Sequence, residues 1–148
     1  MKGLVARQSI VIRAPPGRVW KALTDPALVR EYLFGTEVSS DWKPGSPIRY
    51  RGVWEEKTYE DKGVVLRAEP GKLLETTYWS SMSGLADVPE NYKMVRYDLT
   101  PEHGGTQLTV TQDNNTTEEE RAHSEGNWRM VLEGLKKIVE KNGEVKGA

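Results

Sequence analysis

The sequence predicts an α+β fold, in which one strand and two short helices precede six antiparallel strands and a long C-terminal helix. Three observations predict it. Polar and apolar residues alternate around Ile10 and Ile12, which is the period-two pattern of a half-buried strand. Between residues 36 and 113, similar short stretches are separated by turn residues. From about residue 117 to 141, apolar residues recur every three or four positions, as they do on one face of a helix.

The N-terminal part contains the predicted first strand and both short helices. The strand covers residues 4–13 and stops at Ala14-Pro15-Pro16. A helix over 17–24 follows, because proline fits the first helical turn, where its missing N–H would have been unpaired. Asp25-Pro26 ends this helix and starts a second one, since Asp is a good N-cap and Pro a good first helical residue. The second helix directs three residues inward: Val29, Tyr32 and Leu33.

Turn chemistry divides the middle of the chain into six predicted strands. They cover residues 36–41, 47–54, 59–69, 72–80, 91–100 and 105–113. Pro44-Gly45 and Pro70-Gly71 each place Pro and then Gly at the centre of a tight turn, which suits type II geometry. His103-Gly104-Gly105 makes the last hairpin. Because such short connections join antiparallel neighbours, the six strands form one curved sheet.

The C-terminal segment is predicted to be the longest helix. Either Thr117 with Glu120 or Thr116 with Glu119 forms a capping box at its start. Its apolar face consists of Trp128, Val131, Leu132, Leu135, Ile138 and Val139. The sheet is the only predicted element large enough to cover that face. Asn142-Gly143 is expected to end the helix, because Gly suits the left-handed residue that follows a helix.

Composition excludes several functional classes. The chain has no cysteine, which excludes disulfide scaffolds, thiolate metal sites and cysteine nucleophiles. Twenty-one basic and 22 acidic residues give a net charge of -1, so no overall field attracts nucleic acid. His103 and His123 have no accompanying motif, so neither a metal nor a cofactor is expected. No apolar run is long enough to span a membrane, and we expect a cytoplasmic protein with one domain, residues 1–148, ordered from about 4 to 142.

Several motifs, in order along the chain, are similar to those of one superfamily. The first are Ile10-Val11-Ile12-Arg13-Ala14-Pro15-Pro16 and Val19-Trp20-Lys21-Ala22-Leu23-Thr24-Asp25-Pro26. The later ones are Trp42-Lys43-Pro44-Gly45, Gly63-Val64-Val65 with Glu69-Pro70 and Leu73, residues 105–111, and Gly126-Asn127-Trp128 with Leu132 and Leu135. Together they resemble the SRPBCC superfamily, the START and birch-pollen-allergen-like helix-grip proteins. The branch that the chain resembles most is named for the activator of the heat-shock protein 90 ATPase.

This resemblance implies the order β-α-α-β6-α, with a seven-stranded sheet that wraps the long helix and encloses a cavity. It does not fix an activity, because the superfamily contains lipid carriers, hormone receptors, cyclases and chaperone-binding modules. We expect a protein that binds a small, largely apolar or amphipathic molecule in that cavity. Two alternatives stay open. One is a cyclase-like or hydrolase-like enzyme that uses cavity carboxylates and tyrosines, and the other is an interaction module for the heat-shock protein 90 chaperone.

The aromatic composition favours a cavity. The chain has five tryptophans and six tyrosines against one phenylalanine. Trp and Tyr carry a polar group and suit walls that are apolar but partly wet. The residues expected to line the cavity are Leu33, Trp42, Tyr50, Val64, Leu66, Glu75, Thr77, Tyr97, Trp128, Leu132 and Leu135. No catalytic residue is predicted.

Glu75 is the polar anchor expected in this cavity, and its assignment depends on a turn. If Pro70-Gly71 is a two-residue turn, Glu69 pairs with Lys72 and Leu66 pairs with Glu75. Glu75 then shares the inner face with Leu66. The alternative is a Glu75 on the outer surface, with Leu74 and Tyr78 inside instead.

Overall fold

A computed structural model describes the backbone of residues 1–147 and the side chains of residues 1–53 and 55–141. The strands are β1 (Leu4–Ile12), β2 (Glu37–Ser39), β3 (Pro47–Trp54), β4 (Lys57–Glu69), β5 (Leu73–Tyr78), β6 (Lys93–Glu102) and β7 (Gly105–Asn115). The helices are α1 (Pro16–Thr24), α2 (Pro26–Tyr32) and α3 (Glu118–Gly147), with a 3-10 turn at Pro89–Asn91.

The seven strands form a single antiparallel sheet with the order β1-β7-β6-β5-β4-β3-β2. Strand β1 pairs with β7, so the first and last strands of the chain are neighbours, while β2 to β7 form the predicted meander. The predicted α+β architecture is confirmed. Two strands are three residues shorter than predicted: β2 has three residues instead of six, and β5 has six instead of nine.

The predicted helix caps are confirmed at α2 and α3. The Asp25 side chain accepts a hydrogen bond from the Ala27 N–H at 2.9 Å. At α3, Thr117 is the cap, because its Oγ1 accepts from the Glu120 N–H at 3.0 Å. The Glu120 carboxylate returns to the preceding residue, Thr116, instead of to Thr117.

The predicted end of the long helix is wrong. The backbone of α3 continues through Asn142-Gly143 to Gly147. A glycine inside a helix costs only about 1 kcal/mol relative to alanine, and it ends a helix only when it adopts the left-handed conformation. No proline follows to force that change. The side chains after residue 141 lie outside the described ones.

Helix α3 packs its apolar face on the concave side of the sheet. Leu132, Leu135 and Val139 are buried against residues of α1, α2 and the sheet. The helix also contacts the backbone of the edge strand β1. Glu125 accepts from the Arg7 N–H at 3.1 Å, Glu140 accepts from the Arg13 N–H at 2.8 Å, and Lys136 donates to the Val11 carbonyl at 2.7 Å. The polar face of α3 therefore satisfies groups that an edge strand otherwise leaves unpaired.

The predicted register between β4 and β5 is wrong by one residue near the turn. The type II turn itself forms, with Gly71 at φ +76° and a hydrogen bond from the Lys72 N–H to the Glu69 carbonyl at 2.9 Å. Lys72 nevertheless stays outside this pairing, because Glu69 pairs with Leu73. The loop is therefore three residues long, and Arg67 rather than Leu66 lies opposite Glu75. A register change of one residue moves every side chain to the other face.

The outer face of the sheet, rather than the pocket side, holds Glu75, Thr77, Val64 and Leu66. A bulge between Val65 and Arg67 returns the rest of β4 to the original register. Glu75 lies between two arginines on neighbouring strands, Arg67 and Arg96, and its carboxylate is 3.7 Å from the Arg96 guanidinium. Leu74, Thr76 and Tyr78 point inward instead.

Replacing Leu132 by alanine tests the packing of α3 on the sheet. Its side chain is 2% exposed, and we expect Leu132→Ala to lower the free energy of unfolding by about 2–5 kcal/mol, as large-to-small core changes do. Met130 lies on the same helix, is 57% exposed, and provides the matched control. Chemical denaturation measures both. Equal stability of Leu132→Ala and Met130→Ala would contradict this packing.

Replacing Gly63 by alanine tests the close approach of β4 and β5. A Cβ atom at Gly63 would lie 1.8 Å from the Thr77 carbonyl oxygen, so the backbone has to shift. We expect a loss of about 3 kcal/mol or more, at the upper end of overpacking effects. Gly17→Ala is the control, because nothing lies within 4 Å of its would-be Cβ. A Gly63→Ala protein as stable as Gly17→Ala would show that the two strands are further apart.

Candidate functional site

A pocket of about 560 Å³ lies between the concave face of the sheet and the helices α2 and α3. Strands β3 to β7 contribute its floor, and α3 contributes one wall through Trp128, Val131, Leu132 and Leu135. Leu33 and Tyr32, at the end of α2, border another side. Most of the lining is aromatic or aliphatic.

The structure brings seven of the eleven predicted cavity residues together around this pocket. They are Leu33, Trp42, Tyr50, Tyr97, Trp128, Leu132 and Leu135. The other four, Val64, Leu66, Glu75 and Thr77, are not part of its lining. All four lie on the outer face of β4 or β5, opposite to the predicted face.

Asp61 is the carboxylate that lines the pocket, and the sequence analysis did not identify it. It lies on β4 directly opposite Tyr50 of β3. The feature that could have located Asp61 is the two-residue turn at Glu55-Glu56, because this turn sets the pairing of Asp61 with Tyr50. Both turn residues have positive φ, 48° and 66°, although such turns usually contain Gly, Asn or Asp. The turn was therefore not recognisable from residue type.

Neutral hydrogen-bond donors hold the Asp61 carboxylate. The Tyr78 hydroxyl donates to Oδ2 at 2.6 Å. The Ser81 N–H and hydroxyl both donate to Oδ1, at 2.9 and 3.2 Å. The Tyr78 ring also contacts Tyr50 edge to face, with ring centroids 5.6 Å apart. Asp61 is thus fixed in position by groups that carry no positive charge.

Five tyrosines line the pocket, and burial shifts the pKa of four of them. Burial raises the pKa of Tyr32, Tyr50, Tyr78 and Tyr97 well above the ordinary value of tyrosine, and the charge of Asp61 raises the pKa of Tyr50 and Tyr78 further. Tyr32 donates to the Ala22 carbonyl at 2.7 Å. Among the described side chains, the hydroxyls of Tyr50 and Tyr97 have no hydrogen-bond partner. These two phenol groups are free to bind a molecule in the pocket.

The opposite end of the pocket is fixed by contacts between β7 and α3. The Trp128 indole N–H donates to Gln112 Oε1 at 2.7 Å, and its ring meets Tyr97 edge to face at 5.9 Å. Lys93 also borders the pocket, and its ammonium group contacts Glu120 and the Asn114 carbonyl, both at 2.8 Å. Gln112, Trp128 and Lys93 therefore already have partners.

Three exposed apolar residues form a rim at the mouth of the pocket. Phe34 is 73% exposed, Val53 65% and Met82 50%, and all three also border the pocket. They come from three connections: the α2–β2 loop, the end of β3 near its hairpin, and the β5–β6 loop. Phe34 has φ +54°, a conformation uncommon for an aromatic residue.

His103 and His123 are both exposed, and within the described residues no group of three His, Asp or Glu side chains is arranged to hold a metal ion. Arginines on the outer face of the sheet form ion pairs. Arg49 and Arg51 contact Glu60, and Arg67 contacts Glu69.

Among residues 1–147, no helix combines the length and the apolar character needed to cross a membrane.

Comparison with known proteins identifies the family. The family model for "Activator of Hsp90 ATPase homolog 1-like protein" matches residues 13–140. The solution structure of ChR145 from Cytophaga hutchinsonii is 46% identical, with a TM-score of 0.84, over 97% of this chain and 99% of that chain.

More distant structures share the fold alone. NE0264 from Nitrosomonas europaea is 20% identical, with a TM-score of 0.76, over 95% of this chain and 97% of that one. CalU16 from Micromonospora echinospora is 21% identical, with a TM-score of 0.69, over 93% of this chain and 85% of that one. No curated protein gives a match. The chain belongs to the family of activator of Hsp90 ATPase homolog 1-like proteins, within the SRPBCC superfamily.

Proposed function

We propose that the chain binds a small, largely apolar molecule in the pocket between the sheet and α3. The observation that carries this proposal is the pocket itself. Its volume of about 560 Å³ lies within the range of small-molecule sites, roughly 300–1,000 Å³. Its lining combines many apolar and aromatic groups with a few polar ones, which is typical of such sites.

The unpartnered hydroxyls of Tyr50 and Tyr97 support this proposal. Both residues line the pocket, and a phenol hydroxyl can both donate and accept a hydrogen bond. A bound molecule with a polar group supplies the missing partner. The exposed rim of Phe34, Val53 and Met82 supports it too, because apolar residues at a pocket mouth give an apolar molecule a favourable path inward.

Binding of the neutral fluorescent probe N-phenyl-1-naphthylamine tests the proposal. We expect saturable binding to the wild-type protein, because the probe is apolar and smaller than the pocket. Thr76 is buried and lines the pocket, so Thr76→Trp fills it and should lower the affinity at least about tenfold. Probe fluorescence measured against protein concentration gives both dissociation constants.

The matched control is Thr100→Trp, which adds the same side chain at an exposed position of β6. Circular dichroism establishes that each variant is folded. Should Thr76→Trp fail to fold, Val131→Trp on α3 fills the pocket from the other side. Equal affinity of the wild type and a folded, pocket-filled variant would show that the probe binds elsewhere and would contradict the proposal.

An acid–base enzyme of the same fold is the second candidate function. The short contact between Tyr78 and Asp61 favours it, because a carboxylate hydrogen-bonded to a phenol inside a pocket is suited to proton transfer. The two candidates differ in what happens to the natural ligand. A binding protein releases the molecule unchanged after prolonged incubation, whereas an enzyme releases a product, and mass spectrometry distinguishes the two.

A further inference from the structure

Asp61 differs from the carboxylates of the outer sheet face in having no positive partner. Glu60 contacts Arg49 and Arg51, and Asp98 contacts Arg96. Among the described side chains, no lysine, arginine or histidine lies within 4.0 Å of Asp61. Lys62, its neighbour in sequence, contacts Asp87 instead. The pocket therefore contains an uncompensated negative charge.

The partners of Asp61 orient it but do not cancel its charge. Tyr78 and Ser81 are neutral donors. The charge also reaches the neighbouring phenols, because Asp61 raises the pKa of both Tyr50 and Tyr78 in addition to the effect of burial. The electrostatic potential at this end of the pocket is therefore negative.

Lys93 is the one cation among the described residues that line the pocket, and it does not neutralise Asp61. It lies on β6, two strands away from Asp61 on β4, with Tyr78 of β5 between them. Neighbouring strands are about 4.8 Å apart, which separates the two backbones by roughly 10 Å. Glu120 already pairs with the ammonium group of Lys93 at 2.8 Å.

Aromatic rings surround the charged end of the pocket. Tyr50 and Tyr78 are in edge-to-face contact beside Asp61, and Tyr59 and Tyr97 border the same pocket. Aromatic rings attract cations through their quadrupole, most strongly where the cation is desolvated. A carboxylate beside several rings is a favourable place for an amine or a quaternary ammonium group.

We propose that the molecule bound in this pocket carries a cationic nitrogen, held by Asp61 and the rings of Tyr50 and Tyr78. This inference rests on the proposed function and specifies the class of ligand. A cation compensates the buried carboxylate, whose isolation in a pocket is otherwise costly. An anionic group at this position is repelled by Asp61. A neutral group meets only the free hydroxyls and gains nothing from the charge.

Two probes of equal shape test this inference. Benzyltrimethylammonium carries a positive charge, and neopentylbenzene is its neutral carbon isostere. The quantity compared is the ratio of their affinities, measured by NMR titration of the wild type and of Asp61→Asn. We expect Asp61→Asn to shift this ratio about tenfold against the cation, the size of a desolvated charge contact. Glu60→Gln, the adjacent residue on the outer face, should leave the ratio unchanged.

The possible failures are distinguishable. If both probes bind and Asp61→Asn leaves their affinity ratio unchanged, the inference about the cation is wrong and the proposed function stands. If neither probe binds the wild type, the proposed function fails as well. Should Asp61→Asn not fold, the wild type provides a second readout: nuclear Overhauser effects between the ammonium methyl groups and the rings of Tyr50 and Tyr78. Their absence from the bound complex would overturn the inference.

Discussion

The structure depends on one constraint: a single long helix has to cover the concave face of a seven-stranded sheet. Seven strands span about 29 Å between the outermost two, whereas a helix with its side chains is about 10–12 Å wide. Helix α3 is held at one edge of the sheet, where Glu125, Lys136 and Glu140 bind the backbone of β1. It cannot cover the whole concave face, and the pocket lies beside it above residues of β3 to β7.

Acidic side chains on the two faces of the sheet have different partners, and two adjacent residues of β4 show the difference. Glu60 points outward and has two arginine partners, while Asp61 points inward and has only neutral donors. Exposed ion pairs such as those of Glu60 contribute little to stability. A buried carboxylate without a cation is costly, so stability alone does not account for Asp61. Asp61 lies beside Tyr50 and Tyr78 in the pocket, which is why we propose a ligand with a cationic nitrogen.

The fold was predictable from sequence because local signals agreed along the chain. The alternation around Ile10 predicted a strand, Pro70-Gly71 predicted a hairpin, and the two alternative capping boxes predicted the start of the long helix to within one residue. The faces of β4 and β5 were assigned wrongly because a turn does not by itself decide which face of a strand is buried. Val65 pairs with Thr76 as in the predicted register, yet Val64, Leu66, Glu75 and Thr77 lie on the outer face. Asp61 was missed because the Glu55-Glu56 turn lacks the usual residues, and because Val64 and Leu66 make the opposite face of β4 look more apolar.

Methyl NMR spectroscopy during titration with N-phenyl-1-naphthylamine tests the central claim, that the space between the sheet and α3 is a binding site. Leu74, Val95 and Leu132 line the pocket, whereas Val64 and Leu66 lie on the outer face and serve as internal controls. The account predicts saturable shifts of the first three methyl groups at one common dissociation constant, with the outer methyl signals unchanged. Saturable shifts at Val64 and Leu66, with the pocket methyl signals unchanged, would contradict it.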